Sequence, residues 1–215
     1  MSQAAARSGK PAGRAGRPAS SRALRARGKI TRRRLLDAGA QAFAARGYYA
    51  TRVDDIVKIA ETSHGTFYLY FSNKEDLFSA LAAEVGAAMQ EHAESLGELT
   101  PGPAGYVALR TWIADLSGLY SEYGPVIRAW TEAEIGSSEF GRLGTDVLAQ
   151  FTRVFTQRIT AAAPAGLDAT IASLALVAML ERLHYYVLSD QVRVDHEAMV
   201  DTLARVVHAS LFGPS

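Results

Sequence analysis

The stretch from Thr51 to Leu77 carries two short helical patterns around a brief polar interruption, and it constrains the fold more than any other part of the chain. Apolar side chains recur at helical spacing from Val53 to Ala60, which predicts a first short helix with one buried face. Thr51 precedes this helix as its expected N-cap, and Asp54 places a carboxylate near the positive helix end. The run Glu61-Thr62-Ser63 then interrupts the pattern.

A second short helix is expected after the interruption, because Phe67 and Phe71 lie four residues apart among polar side chains. Ser72 and Glu75 then have the spacing of a capping box and predict the start of a third helix. Two short helices joined by a tight turn, the second with small and polar residues at its N-terminus, can enter the major groove of DNA. The pattern therefore predicts a helix-turn-helix.

This segment resembles the DNA-binding domain of the tetracycline-repressor (TetR) family of bacterial transcriptional regulators, over about residues 30 to 80. The residues that carry the resemblance are Phe43, Gly47, Tyr48, Thr51, Ile56, Ala60, the run Ser63-His64-Gly65-Thr66-Phe67-Tyr68-Leu69-Tyr70-Phe71 and the run Lys74-Glu75-Asp76-Leu77. Two positions depart from the family pattern. Glu61 replaces the usual turn glycine and indicates a helical backbone there, and Tyr70 replaces a common histidine.

The resemblance implies how this motif contacts DNA. Ser63, His64 and Thr66 are expected to read base edges from the first turn of the recognition helix. Gly65 is expected to let the backbone approach the DNA closely. The expected phosphate contacts are Thr51, Arg52, Tyr68, Tyr70 and Lys74, together with one or more of Arg32, Arg33 and Arg34.

Charge is distributed unevenly along the chain. Residues 1–34 contain 11 Lys or Arg and no acidic residue. The other 12 basic residues face 22 acidic residues, so the remainder of the chain has a net charge of −10. A basic end on an acidic body indicates a polyanion bound at that end, and beside a helix-turn-helix the expected polyanion is DNA. A solvated tail and an organellar transit peptide are the alternatives for this Arg-rich segment.

The predicted fold is all-α, since no alternating strand pattern occurs. Residues 1–27 are expected to form a disordered basic arm, 28–74 a three-helix DNA-binding domain and 75–215 a helical domain. The first helix is expected from Lys29 to Arg46, with Gly47 as its stop. Gly and Pro punctuation then predicts six further helices at about 75–96, 103–123, 125–135, 139–162, 168–189 and 195–212.

The resemblance further implies that the six-helix domain dimerises and binds a small molecule of unknown identity. The expected homodimer surface comprises Ile171, Leu174, Ala175, Ala178 and Arg182 on one helix and Met199, Leu203, Val206 and Val207 on the next. The candidate ligand contacts are Trp112, Leu116, Tyr120, Trp130, Glu134, Phe151, Phe155, Met179 and Leu183, with Arg128 and Arg182 as further polar anchors. Ordinary core packing is the alternative for both sets. Their composition favours an apolar or aromatic ligand.

Other classes of protein lack support in the sequence. The chain has no cysteine and no GxSxG, GxGxxG or P-loop motif, and its five histidines lack helical metal-ligand spacing. Its most apolar run, 171–180, is too short to span a bilayer and is followed by charged residues. We therefore expect a cytoplasmic protein that is not an enzyme, holds no metal or cofactor and does not enter a membrane.

These patterns together predict a transcriptional regulator that binds a palindromic double-stranded DNA operator as a homodimer and is released by its ligand. Repression rather than activation follows from the resemblance alone. The rival hypothesis is a constitutive DNA-binding dimer whose C-terminal domain has no ligand role. A closed apolar cavity of several hundred Å³ behind the motif would favour the sensor, and a filled core would favour the rival.

Overall fold

A computed structural model of the chain describes residues 21–134, 138–164 and 166–213, with only the backbone given for 21–25, 134 and 138–140. These ranges contain helices and connecting turns and no strand, which confirms the all-α class. The helices are α1 (Ser21–Ala50), α2 (Val53–Ile59), α3 (His64–Tyr68), α4 (Lys74–Glu94), α5 (Gly102–Glu134), α6 (Ser138–Ala162), α7 (Ala169–Leu188) and α8 (His196–Phe212).

The first helix is longer than expected. α1 begins at Ser21 rather than Lys29, so the last residues assigned to a disordered arm are helical instead. The Ala, Leu and Arg residues that follow Ser21 are good helix formers, which an argument from the low apolar content of residues 1–27 overlooked. Gly47 does break the helical course, with φ of 74° and ψ of 172°. Residues 1–20 lie outside the described part of the chain, so the predicted arm stays a prediction there.

The body behind the three-helix head has five described helices where the sequence predicted six. The predicted break at Gly124-Pro125 does not occur, because α5 runs through Pro125. Packing explains the continuity. Val126, Ala129 and Trp130 after the proline are all buried, and Gly124 packs so tightly on Leu188 of α7 that an added Cβ would overlap it. Burial of this face outweighs the lost backbone hydrogen bond.

The head and the body share one hydrophobic core. Phe43 of α1 and Phe67 of α3 in the head and Phe78 of α4 in the body are almost completely buried. The rings of Phe43 and Phe78 meet edge-on with centroids 5.1 Å apart. α1 packs on both α4 and α5, so the first helix of the head rests directly on the body. The position of the motif is therefore set by the helices of the body.

α7 is long and apolar enough to span a membrane by length and composition alone, with a mean hydropathy of 1.4. The sequence analysis had excluded such a segment. Only 28% of that helix window is buried within the described chain. The buried side of α7 packs on α5 and α6 and includes His184, which is hydrogen-bonded at both ring nitrogens. Its other side is largely exposed, with Ile171 and Leu174 among the exposed apolar residues.

Neighbouring aromatic residues on α3 should differ sharply in their effect on stability. Phe67 is 0% exposed and Tyr68 is 57% exposed. We expect Phe67→Ala to lower the free energy of unfolding by about 3–5 kcal/mol, because it leaves a cavity in the core of the head. Tyr68→Ala should cost under about 1 kcal/mol. Chemical denaturation of both variants measures the difference, and equal losses would contradict the placement of α3.

Candidate nucleic-acid interface and ligand cavity

The recognition helix α3 begins with a capped turn whose outer face is open. Ser63 is its N-cap, and the Ser63 Oγ accepts the Thr66 N–H at 3.1 Å and lies 3.0 Å from the Thr66 hydroxyl. His64, Gly65 and Tyr68 are exposed beside it. A Cβ built on Gly65 would meet only the Ser63 hydroxyl, at 3.8 Å. The predicted base-reading turn therefore forms an accessible surface.

Two further residues belong to this surface that the sequence analysis did not select. Leu69 follows α3 and is 80% exposed, the largest exposure of any bulky apolar residue described. Such a side chain could contact a thymine methyl group in a groove. Asp54 of α2 lies 2.5 Å from His64, between the Asp54 Oδ1 and the His64 Nε2. The two residues are ten positions apart on different helices. Helical periodicity does not connect such positions, so the pair could not be found from the sequence pattern.

The turn between α2 and α3 corrects the expectation for Glu61. This residue has φ of 48°, so its backbone is left-handed and not helical. A non-glycine residue in this region costs on the order of 1 kcal/mol. Arg34 of α1 offsets that cost, since its guanidinium donates to the Glu61 carbonyl at 3.0 Å and from Nε to the Ala60 carbonyl at 3.0 Å. Arg34 thus holds the turn, although the sequence grouped it with the phosphate contacts.

Thr51 also has a different role from the expected one. Its side chain is 1% exposed, and its hydroxyl donates to the Gly47 carbonyl at 2.7 Å. The N-cap of α2 is Arg52, whose backbone N–H donates to the Asp55 carboxylate at 3.0 Å. The Thr51 hydroxyl is therefore unavailable to a phosphate. Arg52 itself is exposed and can reach one.

Lys74 is the third correction among the predicted DNA contacts. Its ammonium group donates to the carbonyl oxygens of Tyr48, Tyr49 and Thr51 at 2.9, 3.2 and 3.0 Å. It also lies 4.7 Å from the centre of the Tyr48 ring. A lysine has three N–H donors, and all three are engaged here. Lys74 therefore fastens the end of α1 and has no N–H left for a phosphate.

The arginines and the tyrosine near the start of α1 divide between structural and exposed positions. Arg33 bonds to Asp37 and Glu84 at 2.7 Å each, and the hydrogen bond to Asp37 raises its pKa. This ion network occupies Arg33, against the prediction of a phosphate contact. Arg32 is exposed, with its guanidinium 5.4 Å from the Phe71 ring centre. Tyr70 is half-buried beside Gly28 of α1.

A cavity of about 730 Å³ lies in the body between α4, α5, α6 and α7. Four of the nine predicted ligand residues line it: Leu116, Tyr120, Trp130 and Phe151. Most of the remaining wall is apolar, with Val85, Met89, Ile127, Val147, Leu148, Val177, Ala178 and Leu180. The cavity is partly open rather than closed, since Thr145, Leu148 and Arg182 of its lining are exposed. Its size lies within the range of small-molecule sites and favours the sensor over a filled core.

The other predicted ligand residues lie elsewhere. Trp112 is core, stacked on His92 with centroids 4.5 Å apart, and its indole N–H donates to the His92 carbonyl at 3.0 Å. Phe155 is 0% exposed in the core. Met179 and Leu183 are half-buried away from the cavity wall, because they point to another side of α7. The Glu134 side chain lies outside the described part of the chain.

Polar groups of the cavity concentrate on α7 and the facing part of α5. Glu181, Arg182 and Tyr185 line it from α7, and Tyr120 and Thr131 from α5. The predicted anchor Arg182 is thus present, whereas Arg128 instead donates to the Leu188 carbonyl at 3.1 Å. The Arg182 guanidinium lies 5.5 Å from the Tyr185 ring centre and 3.5 Å, through Nε, from the Glu181 carboxylate. Arg182 and Glu181 therefore place an ion pair on a wall that is otherwise mostly apolar.

Uncharged groups form the back of this wall. Tyr120 stacks on the buried His184 with centroids 4.7 Å apart. Burial raises the pKa of Tyr120 and lowers the pKa of His184, so both are neutral at pH 7. His184 is held by the Ser117 hydroxyl at 2.6 Å and the Leu180 carbonyl at 2.7 Å. Arg182 and Glu181 are accordingly the charged groups among the described lining residues.

Comparison with known families agrees with both parts of this geometry. Residues 35–81 match the model of bacterial regulatory proteins of the tetR family, and residues 109–213 match that of the C-terminal domain of the transcriptional regulator EthR. The chain belongs to the TetR family of bacterial transcriptional regulators. TetR-family proteins bind DNA through this motif, so the chain is a DNA-binding regulator, which confirms the resemblance drawn from the sequence.

Curated relatives of this TetR-family chain match it mainly in the head. The uncharacterized HTH-type transcriptional regulator YdgC of Bacillus subtilis (strain 168) is 37% identical over 73 residues, which cover 34% of this chain and 37% of that protein. The fatty acid metabolism regulator protein of the same organism is 42% identical over 50 residues, covering 23% of this chain and 26% of that protein. The match therefore spans well under half of these relatives.

Solved structures extend the likeness to the whole fold. A TetR-family regulatory protein from Rhodococcus RHA1 has a TM-score of 0.66 at 21% identity, covering 85% of this chain and 97% of that chain. FadR from Bacillus subtilis in complex with stearoyl-CoA has a TM-score of 0.63 at 21% identity, covering 85% of this chain and 99% of that chain. At this identity the likeness concerns the fold alone.

The different roles of Lys74 and Arg52 can be separated by salt titration and denaturation. We expect Lys74→Met to lower the free energy of unfolding by about 2 kcal/mol, because three carbonyl groups lose a charged donor. Arg52→Ala should leave stability nearly unchanged but reduce the salt dependence of DNA binding by about one phosphate contact. Lys58→Met, at an exposed position on α2, is the control for stability. A reduced salt slope for Lys74→Met with normal stability would reinstate its phosphate role.

Proposed function

We propose that this TetR-family regulator is a repressor that binds a palindromic operator as a homodimer in the cytoplasm and is released by an amphipathic small molecule. The observation that carries the proposal is the cavity of about 730 Å³ in the body that bears a helix-turn-helix with an exposed outer face. A body of this size is more than DNA binding requires. Ligand control gives the cavity a purpose that a constitutive DNA-binding dimer does not need.

The homodimer is supported by the exposed side of α7. Ile171 is 68% exposed and Leu174 is 51% exposed, and Ala175 is exposed beside them. Ala178 and Arg182, which the sequence placed on the same surface, line the cavity instead. Val206 of α8 adds a residue that is 43% exposed. Met199, Leu203 and Val207, which the sequence placed on the same surface, are buried in the core of the body and do not belong to it. An apolar stripe of this kind favours burial against a second copy.

A dimer also meets the demand of DNA recognition. One short recognition helix presents a small footprint, and specific binding usually needs a larger interface. Two heads about 34 Å apart would enter successive major grooves on one side of the duplex, and the operator would then be palindromic. A ligand that prefers another spacing of the heads would release the DNA through a shift of population.

The nature of the ligand follows from the wall of the cavity. Its apolar surface suits a hydrocarbon body, and Arg182 suits an anionic head group. Two of the similar proteins have names that refer to fatty acids or acyl-CoA, the fatty acid metabolism regulator protein and FadR in complex with stearoyl-CoA. We therefore propose a long-chain acyl compound with a carboxylate or phosphate head as the effector class.

Selection of bound sequences from a random DNA pool tests the DNA-binding part. The chain is expected to enrich a palindrome, and Tyr68→Ala is expected to lose most of the enrichment while it stays folded. Tyr68 is exposed on α3, so its loss should remove a DNA contact and little stability. Enrichment of a single half-site would contradict the dimer, and enrichment unaffected by Tyr68→Ala would contradict the proposed reading surface.

Titration with stearoyl-CoA and with stearate tests the ligand class. We expect binding in the micromolar range or tighter, release of the selected DNA, and an affinity reduced roughly tenfold by Arg182→Met through loss of a charged hydrogen bond. Arg142→Met, an exposed arginine of α6 outside the cavity lining, should bind as the parent does. Equal losses in both variants would reject Arg182 as the anchor, and binding without release would reject control by this class of ligand.

A further inference from the structure

The residues from Gly47 to Thr51, here called the 47–51 segment, comprise the end of α1 from its break at Gly47 and the residue that follows it, and they lead into the helix-turn-helix. Arg52, the N-cap of α2, follows the segment directly. α2 and α3 are short, so their orientation depends on how the chain enters them. Any force that turns the 47–51 segment therefore turns the reading face.

Glu132 of α5 holds this segment from the body. Its Oε2 accepts the Tyr48 N–H at 2.9 Å, although the two residues are 84 positions apart. Gly47 makes the approach possible, because its φ of 74° suits glycine and an added Cβ would lie 2.6 Å from the same carboxylate oxygen. Glu132 follows Trp130 and Thr131, which line the cavity. Two residues of the cavity wall and the residue that binds the segment are thus consecutive on α5, from Trp130 to Glu132.

Lys74 of α4 binds the same segment through its backbone carbonyl oxygens, whereas Glu132 binds it through a backbone N–H. Its ammonium donates to three carbonyl oxygens of the segment, those of Tyr48, Tyr49 and Thr51. The helix that begins with Lys74 also lines the cavity, through Val85 and Met89. One continuous helix, α4, therefore joins Lys74 to the cavity wall.

Tyr48 takes part in both sets of hydrogen bonds, since its N–H donates to Glu132 of α5 and its carbonyl oxygen accepts from Lys74 of α4. A change in the relative position of α4 and α5 must then either break the hydrogen bond to Glu132 or to Lys74, or rotate the segment between them. We infer that Glu132 and Lys74 form a two-sided clamp that carries occupancy of the cavity to the helix-turn-helix. Glu132 acts as a positioning residue. The inference deepens the ligand control proposed above and rests on it.

A purely structural role for Glu132 predicts a different result from a transmitting one. If Glu132 only stabilises the fold, its loss lowers protection of the segment equally whether the cavity is empty or filled. If it transmits, its loss removes the response to filling. The decisive quantity is therefore the interaction between two changes, one at Glu132 and one in the cavity, as measured by a double-mutant cycle.

The cavity can be filled without knowledge of the ligand. Gly141 of α6 lines it, and a Cβ at this position would meet no atom within 4 Å, so Gly141→Phe is chosen to bring a tethered ring to the cavity. Gly118 of α5 is exposed, equally open around its Cβ position and outside the lining, which makes Gly118→Phe the matched control. Loss of binding of the dye 1-anilinonaphthalene-8-sulfonate reports that the cavity is filled.

The test is amide hydrogen exchange at Tyr48 and along α2 in the parent, Gly141→Phe, Glu132→Ala and the double variant. We expect Gly141→Phe to change these exchange rates by about threefold or more, and to change them by less than about 1.5-fold when Glu132 is absent. Glu132→Gln keeps a carbonyl acceptor for the Tyr48 N–H and should restore the response. Gly118→Phe should leave the rates unchanged.

Two results would overturn the clamp. One is an equal response to Gly141→Phe with and without Glu132, and the other is no response of α2 although the cavity is filled. Should the dye still bind Gly141→Phe, the dye-bound chains replace the filled variants in the same comparison. Failure of stearoyl-CoA to release DNA would bear on the proposed ligand and not on this result, because the cycle needs neither that ligand nor DNA.

Discussion

The DNA-binding head depends on satisfying the backbone groups at the ends of two very short helices. α2 has seven residues and α3 has five, and helices of that length are unstable in isolation because few of their backbone groups find partners within the helix. Arg34 stabilises the strained turn at the end of α2 by donating hydrogen bonds to the carbonyls of Ala60 and Glu61. Lys74 does the same for the end of α1, and Ser63 caps α3. The reading face exists because these polar side chains hold it in place.

This demand explains why some predicted DNA contacts are structural. Arg33, Thr51 and Lys74 have the right residue types and lie at the right edge of the motif, yet each is engaged inside the protein. A sequence pattern gives charge and helical face, but it does not say whether a nearby carbonyl or a distant phosphate receives the donor. The same demand allows Glu61 to adopt a left-handed backbone where the family usually has glycine. Arg34 lies 27 positions away, so local reasoning could not include it.

The body shows the same division between what periodicity predicts and what packing decides. Helical faces of aromatic residues were predictable, and four of the nine proposed ligand residues do line the cavity. Periodicity cannot tell where neighbouring helices separate, which is what makes Phe151 a wall residue and Phe155, one turn later, a core residue. The continuity of α5 through Pro125 was missed for a related reason, because burial of the following face outweighs the local preference of proline. It also brings the cavity wall and Glu132 onto one rigid element.

Control of DNA by a ligand requires a difference in free energy between two states, not tight binding alone. A ligand that binds both spacings of the heads equally shifts nothing, whereas a hundredfold preference for one spacing shifts the equilibrium by about 2.7 kcal/mol. A soft connection between body and head would dissipate such a preference, because the segment could relax without moving α2. The 47–51 segment is bound at Tyr48 on both its N–H and its carbonyl side by two helices that line the cavity. That arrangement makes relaxation costly, and under the proposed ligand control it would let a preference inside the cavity be expressed at the reading face.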